Sequence, residues 1–293
     1  MVVEVPELVR LKALNQGVEG ERWLASLPSV VADLASEWSL TLGRPFTEGS
    51  GSYCVRAGAG AVLKVVAPGH DAAAQIRTLR AADGRGYVRL LASSGEALLL
   101  EALGSPLSLG PESCLPLLAR LLRRAWLPPT EPPLANAGML AELVESLWHK
   151  NGRPCSQEAY SQAMRYAERR SVPSAPPVLV HGDPHPGNVL QVLTPRPGTE
   201  SGYVFVDPSG FVADPAYDLG IVLRDWCSEL LAAPDPVALA RRYCAVLASS
   251  SGLSATAIWE WGFIERVSTG LFLTDFAGPA GEPFLRTAEL LVR

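Results

Sequence analysis

Val178-Leu179-Val180-His181-Gly182-Asp183-Pro184-His185-Pro186-Gly187-Asn188-Val189-Leu190, joined by a loop to Tyr203-Val204-Phe205-Val206-Asp207, is the stretch on which the reading of this chain turns. Its apolar and β-branched runs predict a strand that opens into a polar loop, then a second strand, then a third that carries Asp207 at its end. The loop has the form H-x-D-x-x-x-x-N, through His181, Asp183 and Asn188. A carboxylate at the head of such a loop can accept a hydroxyl proton. An amide oxygen five residues on and a second carboxylate at a strand end are hard oxygen donors, the kind Mg2+ takes beside phosphate oxygens and water.

The spacing is that of the protein-kinase catalytic loop, H-R-D-L-x-x-x-N, with Gly182 in place of Arg. Asp207 stands where kinases place a metal-binding Asp. A free Asp has a pKa of about 3.9 and is a weak base. Phosphoryl transfer tolerates this, because its loose transition state asks for positioning and charge neutralisation more than for early deprotonation. Two other readings use the same residues. One is a polar hairpin whose Asp, His and Asn merely cap turns. The other is H-x-D-x-H, in which His181, Asp183 and His185 ligate a transition metal in a hydrolase; it leaves Asn188 without a role in a chain that holds only four His.

The run HGDPHPGNVL, with Asp207-Pro208-Ser209-Gly210-Phe211-Val212-Ala213-Asp214-Pro215-Ala216-Tyr217-Asp218-Leu219-Gly220 and Leu223-Arg224-Asp225-Trp226 after it, resembles the aminoglycoside phosphotransferase family, in its branch of streptomycin and hydroxyurea resistance kinases. The likeness covers most of the chain, including Trp23-Leu24-Ala25-Ser26-Leu27-Pro28 and Gly43-Arg44-Pro45-Phe46. It implies an α+β, protein-kinase-like fold. A small antiparallel-sheet lobe would span residues 1–101 and a larger, mostly helical lobe 102–293, with ATP in the cleft between them. By the same resemblance Asp183 is the base that orients the acceptor hydroxyl, and Asn188 and Asp207 hold Mg2+. Asp218 braces the catalytic loop together with His181. Glu101 and Leu103 form a hinge whose backbone groups hydrogen-bond adenine. Asp214 is given a substrate or structural role, and Trp226 and Glu265 lie where the family places acceptor contacts, although aromatic residues at helical spacing are more often core.

Upstream, Gly49-Ser50-Gly51-Ser52 sits between strand-like segments, and glycine amides with serine hydroxyls can cradle phosphate. Next comes Ala61-Val62-Leu63-Lys64-Val65-Val66, where a charge interrupts an apolar run. Lys64 resembles the kinase V-A-I-K lysine that grips the nucleotide phosphates. Kinases orient it with a helix Glu, but the following segment offers only Asp71 or Gln75.

Helices are predicted over Pro111 to Arg124, Ala137 to His149 and Gln157 to Arg170, the last ended by a Pro-rich stretch. Near the start, Val30, Val31, Leu34, Ala35 and Trp38 recur at helical spacing, with Ser29 after Pro28 as the expected cap. Residues 194–202 are expected to be a mobile loop.

The chain has 293 residues, 48% of them hydrophobic and 19% charged, which suits a folded globule and argues against disorder. No apolar run approaches a membrane span, and the first residues lack a signal pattern. Five scattered Cys without a C-x-x-C pair predict reduced thiols and a cytoplasmic setting. A net charge of -5 without a basic cluster argues against nucleic acid as a partner. From Asp214 onward ten acidic residues face six arginines, a bias that suits a cationic small-molecule acceptor. The functional expectation is therefore a kinase using ATP and Mg2+ on a hydroxyl of an aminoglycoside such as streptomycin. A kinase for an endogenous amino alcohol or sugar, and a nucleotide-binding protein with little transfer activity, remain open alternatives.

Overall fold

The computed structural model describes residues 3–47, 51–58 and 60–292. In chain order its strands are β1 (Leu42–Pro45), β2 (Tyr53–Ala57), β3 (Ala61–Val65), β4 (Leu90–Ser94), β5 (Ala97–Glu101), β6 (Val178–Val180), β7 (Val189–Gln191), β8 (Tyr203–Phe205) and β9 (Phe211–Ala213). The chain packs as two units, Met1–Pro106 with Leu190–Ser209, and Leu107–Val189 with Gly210–Arg293.

In the first unit β1 to β5 form one antiparallel sheet in the order β1-β2-β3-β5-β4. Strand alternation decides its faces. Tyr53, Val55 and Ala57 on β2 and Leu63 and Val65 on β3 share a core with Trp23, Leu27, Val31 and Leu34 of a long helix, α2 (Val18–Glu37), and with Val9 and Ala13 of α1 (Glu7–Leu14). Lys64, in register with Cys54 and Leu98, therefore belongs to the opposite face. The helix α3 (Ala72–Ala82) follows β3 and brings Gln75.

Helix α2 differs from the expectation of a start at Ser29. It runs unbroken through Pro28, and the Ser29 hydroxyl donates to Ser26 O at 2.8 Å rather than capping an N-terminus. An interior Pro costs a helix about 3 kcal/mol, and the buried apolar face of α2 offsets it.

The first unit extends past the boundary expected at residue 101. Gly104 N donates to Gln191 O at 2.8 Å, and Pro106 bridges Leu190. The β7-β8 pair then meets the strand-like Tyr87 and Val88, with Val88 N donating to Phe205 O at 2.8 Å. The 194–202 loop is tied down, contrary to the expectation of mobility. Arg196 donates to Glu101, to Gly84 O and to Tyr87 O, the last at 3.0 Å, and its side chain is only 8% exposed.

The second unit is helical: α4 (Pro111–Ala125), α5 (Asn136–Lys150), α6 (Gln157–Arg170), α7 (Ala216–Arg224), α8 (Cys227–Ala232), α9 (Pro236–Ser251), α10 (Ala255–Ala277) and α11 (Glu282–Leu290). The predicted α4 to α6 are all present, within one residue at each end. Helix α10 is buried on nearly all sides from Ala257 to Leu271, with Glu260, Glu265 and Arg266 among its apolar residues, and forms the centre, packed by α5, α6, α7, α9 and α11. Strands β6 and β9 pair antiparallel, Leu179 opposite Val212.

Helices α7 and α10 cross at Gly220 and Gly262. A Cβ at Gly220 would lie 2.5 Å from Trp261 Cβ and 2.8 Å from Gly262 N, so only glycine admits this approach. Buried Arg266 adds a bond across the crossing, donating to Leu223 O at 2.7 Å. No helix among the described residues is long and apolar enough to cross a membrane, and all five Cys are free thiols.

Gly220→Ala should lower unfolding free energy by about 1–3 kcal/mol, the cost of overpacking a closed contact. Gly138→Ala on the open face of α5, where nothing lies within 4 Å of the new Cβ, should instead raise it by about 0.4–1 kcal/mol. Urea midpoints for the two variants measure both.

Candidate active site

The first unit holds a buried cation. Lys64, 3% exposed in its side chain, donates from Nζ to Asp207 Oδ1 at 2.7 Å and to Gln75 Oε1 at 3.0 Å. Of the two helix partners left open by the sequence, Gln75 is the one used. Asp71 is instead the N-cap of α3, where its Oδ1 accepts from Ala74 N at 2.8 Å. Stranding an ammonium away from water is costly unless it is paired and hydrogen-bonded, and one carboxylate with one amide oxygen meets that need. Asp207 itself adopts a positive φ of 56°, which is uncommon for a residue other than glycine and turns the chain sharply just after β8.

Gly49 and Ser50 of the expected phosphate loop lie outside the described residues. Gly51 and Ser52 lie within them. Ser52 is buried, and its hydroxyl accepts from Ala67 N at 3.2 Å, so that side chain is committed to the fold rather than to a ligand. The Glu101 carboxylate is likewise taken, accepting from Arg89 N at 2.9 Å and from Arg196. Beyond it the amides alternate. Ala102 N donates to Gly60 O at 2.9 Å and Gly104 N to Gln191 O at 2.8 Å, whereas Leu103 N makes no hydrogen bond among the described residues.

The second unit builds the H-x-D-x-x-x-x-N loop around a buried carboxylate. Asp218, on the first turn of α7 and fully buried, accepts three hydrogen bonds at 2.9 Å: His181 N and Trp126 Nε1 on Oδ2, and Gly182 N on Oδ1. Gly182 has a φ of 90°, a conformation that a side chain at this position would strain. His181 is buried and its Nδ1 accepts from Asp183 N at 3.1 Å. Asn188 closes the loop, donating from Nδ2 to Asp183 O at 2.9 Å. That leaves the Asn188 amide oxygen as the atom able to serve a cation.

Asp183 is half-exposed, with 44% of its side chain accessible. Arg224 Nη2 stands 3.3 Å from Oδ1 and His185 Nε2 3.6 Å from Oδ2. Gly187 N donates to His185 Nδ1 at 3.1 Å, which places the hydrogen of the neutral ring on Nε2, toward Asp183.

The three residues expected near the acceptor are all buried. Asp214 is buried and used up: Oδ2 accepts from Ser174 N at 2.6 Å and Ser174 Oγ at 2.8 Å, and Oδ1 from Ala216 N at 3.0 Å. It is a structural clamp with no oxygen left for a substrate. Trp226 is buried edge-on against Tyr243, a packing position. Glu265 is buried on α10 with Arg224 Nη1 at 3.3 Å from Oε2; burial pushes its carboxyl above the usual range, and Arg224 opposes that rise.

Arg224, Trp126 and Arg196 received no role from the sequence. Arg224 stood in the quoted run Leu223 to Trp226, but nothing local marks which of several arginines turns inward.

The donors expected for Mg2+ are hard oxygens of the kind it takes: the amide oxygen of Asn188 in the second unit and the carboxylate of Asp207 in the first. The alternative of a transition-metal trio fails on geometry: both imidazoles spend Nδ1 on backbone N–H groups of their own loop. Among the described residues no three His, Cys, Asp or Glu side chains gather as a metal group.

Comparison with known proteins accords with this geometry. The family model described as aminoglycoside/hydroxyurea antibiotic resistance kinase matches residues 40–275. A streptomycin 6-kinase of Streptomyces glaucescens is 28% identical over 308 aligned positions, covering 100% of this chain and 98% of that one. A hydroxyurea phosphotransferase of Kitasatospora aureofaciens is 30% identical over 236 positions, covering 74% of this chain and 67% of the relative. Among solved structures, the choline kinase LicA of Streptococcus pneumoniae superposes with a TM-score of 0.62 at 14% identity, over 90% of this chain and 98% of that one. Wild-type aminoglycoside 2'-phosphotransferase-IIIa, in its GDP complex, gives 0.56 at 14%, over 89% and 97%. At such identities the structural likeness speaks for the fold alone, which is α+β and protein-kinase-like.

Burial raises the Asp218 carboxyl to about 6, with the three donors holding it from rising further. Because the folded value lies above that of the unfolded chain, its contribution to stability is fully present below about pH 4. That contribution is lost as pH rises through about 6. Protonation places a hydrogen on an oxygen that now only accepts, so the Trp126 indole should report it. Trp fluorescence should titrate with a midpoint near 6, and the transition should be missing in Trp126→Phe and Asp218→Asn.

Proposed function

This chain belongs to the aminoglycoside/hydroxyurea antibiotic resistance kinase family, and from that membership we propose that it moves the γ-phosphate of MgATP to a hydroxyl of a streptomycin-like aminoglycoside. It is an enzyme, a phosphotransferase whose acceptor is the alcohol group of a small molecule. The observation that carries the residue assignment is Asp183: a half-exposed carboxylate at the head of a loop whose backbone is braced by Asp218, the His181 ring and the Asn188 amide nitrogen. Support for the acceptor comes from the relative named streptomycin 6-kinase, which aligns from end to end.

In the proposed reaction the acceptor oxygen forms a bond to Pγ while the bond from Pγ to the β–γ bridging oxygen breaks. The electron pair stays with that oxygen, which leaves as ADP. The hydroxyl proton passes to the Asp183 carboxylate and then to solvent. Asp183 acts mainly by orienting the hydroxyl, as a weak base can in a loose transition state. Lys64 grips the phosphates, and Gln75 with Asp207 holds its ammonium in place beforehand. Asn188 and Asp207 would hold Mg2+, which when bound neutralises charge on the phosphates. Leu103 N, which makes no hydrogen bond among the described residues, would donate to the nucleotide base, and Asp218 keeps the loop in shape without touching substrate.

The deciding experiment incubates the purified protein with MgATP and, separately, streptomycin, hydroxyurea and a panel of amino alcohols and sugars, followed by mass spectrometry. A product of streptomycin heavier by one phosphate is the expected outcome. Turnover only with hydroxyurea or a panel metabolite would replace the acceptor, and ATP binding with no turnover at all would overturn the proposal. Asp183→Asn should lower kcat by about 100-fold or more. Lys64→Met should raise the KM for ATP and lower kcat together, because the cation serves both ground and transition state.

A further inference from the structure

We propose that Arg224 is a positioning residue that dictates which oxygen of Asp183 meets the acceptor, holding Oδ1 so that Oδ2 receives the hydroxyl. This rests on the reading above that Asp183 orients that hydroxyl.

Arg224 ends α7 with only 12% of its side chain exposed, yet its guanidinium has four acceptors on three parts of the fold. Nε donates to Asp225 Oδ1 at 2.8 Å. Nη1 reaches Glu265 Oε2 at 3.3 Å and Thr269 Oγ1 at 3.2 Å, both on α10. Nη2 reaches Asp183 Oδ1 at 3.3 Å. Burial alone would pull the guanidinium pKa down, but Asp225, Asp183 and Glu265 reverse that and drive it further up. The group is a permanent cation.

The order of anchoring matters. Three of the four acceptors lie outside the catalytic loop, so the guanidinium is placed by α7 and α10 and not by Asp183. The carboxylate leans on a cation that is already fixed. A free aspartate presents either oxygen as it turns about χ2. Here Oδ1 faces the guanidinium, while the nearest donor to Oδ2, His185 Nε2 at 3.6 Å, is too far for a hydrogen bond. Oδ2 is thus the oxygen with an open acceptor site. A loose transition state gains more from such orientation than from a strong base.

Arg224 does not touch the acceptor in this scheme, so its loss should appear in kcat and not in KM. Arg224→Met is expected to lower kcat for streptomycin by about 10- to 100-fold, with the KM for streptomycin within about threefold of wild type. Arg224→Lys keeps the charge but lacks the planar fork, and should recover only part of that loss. In an Asp183→Asn background the Arg224→Met change should have little further effect, because the two act as one unit. A loss of the same size in that background, a change confined to KM, or an unaltered kcat would each overturn the proposal.

A second measurement needs no acceptor. In protein labelled with 13C at aspartate carboxyls, the signal absent from Asp183→Asn identifies Asp183. That signal should shift in Arg224→Met while the signal of remote Asp235 stays put; an unmoved Asp183 signal would count against the contact. If wild type leaves streptomycin unmodified, the acceptor assignment fails while the carboxyl signal still tests the Arg224 contact. If Arg224→Met does not fold, Arg224→Lys carries both tests, with a lowered kcat and a shifted signal expected and wild-type values of both overturning the proposal.

Discussion

A carboxylate with no access to water is an expensive thing to fold around, and the second unit is organised to make Asp218 tolerable. Its two oxygens take three N–H donors, two from the backbone of the catalytic loop and one from Trp126, 92 residues away in sequence. Removing any of these donors would leave a buried acceptor short of a partner, which costs more than the hydrogen bond itself contributes. The loop is therefore not free to relax into an ordinary turn. Gly182 must take its positive φ, the His181 ring must turn back on Asp183 N, and the Asp183 side chain is left pointing outward. The exposure of the proposed catalytic group follows from the burial of its support.

The α7–α10 crossing extends this logic. Two glycines let the helix axes approach more closely than any side chain would allow, and buried Arg266 locks the end of α7 to α10. Asp218 begins α7 and Arg224 ends it, so one short helix carries both the brace under the loop and the cation beside Asp183. Arg224 is held mostly by groups outside the catalytic loop, and Asp218 by that loop's backbone together with Trp126. Supporting contacts of this kind hold a reacting group in one orientation, the condition for orientation to help a reaction.

In the first unit Lys64 obeys the same rule with other materials. A buried ammonium usually finds a carboxylate on a neighbouring helix; here the helix offers a neutral amide, and the carboxylate comes from Asp207. The absence of a helix Glu had suggested an idle nucleotide binder. The ion pair with Asp207 removes that motive, because the charge of Lys64 is matched without the Glu.

Much of this was legible in the linear chain. A charge inside an apolar run singled out Lys64, helical periodicity placed α4 to α6, and the spacing His181-Asp183-Asn188 marked the loop. Such features depend on residues close together in sequence, where backbone geometry ties position to direction. The miscast residues are those whose fate hangs on distant partners. Asp214 was a candidate ligand until Ser174 claimed it, Ser29 a cap until the packed face of α2 carried the helix through Pro28, and the 194–202 loop mobile until Arg196 found Glu101. Arg224 was one arginine among several until α10 folded against α7. The sequence by itself determined which groups could do chemistry and which segments would carry them, since side-chain identity and local periodicity are written there. Only the tertiary structure decided which charges meet, because a buried charge must find its counterpart wherever packing brings one, and that distance is not measured along the chain.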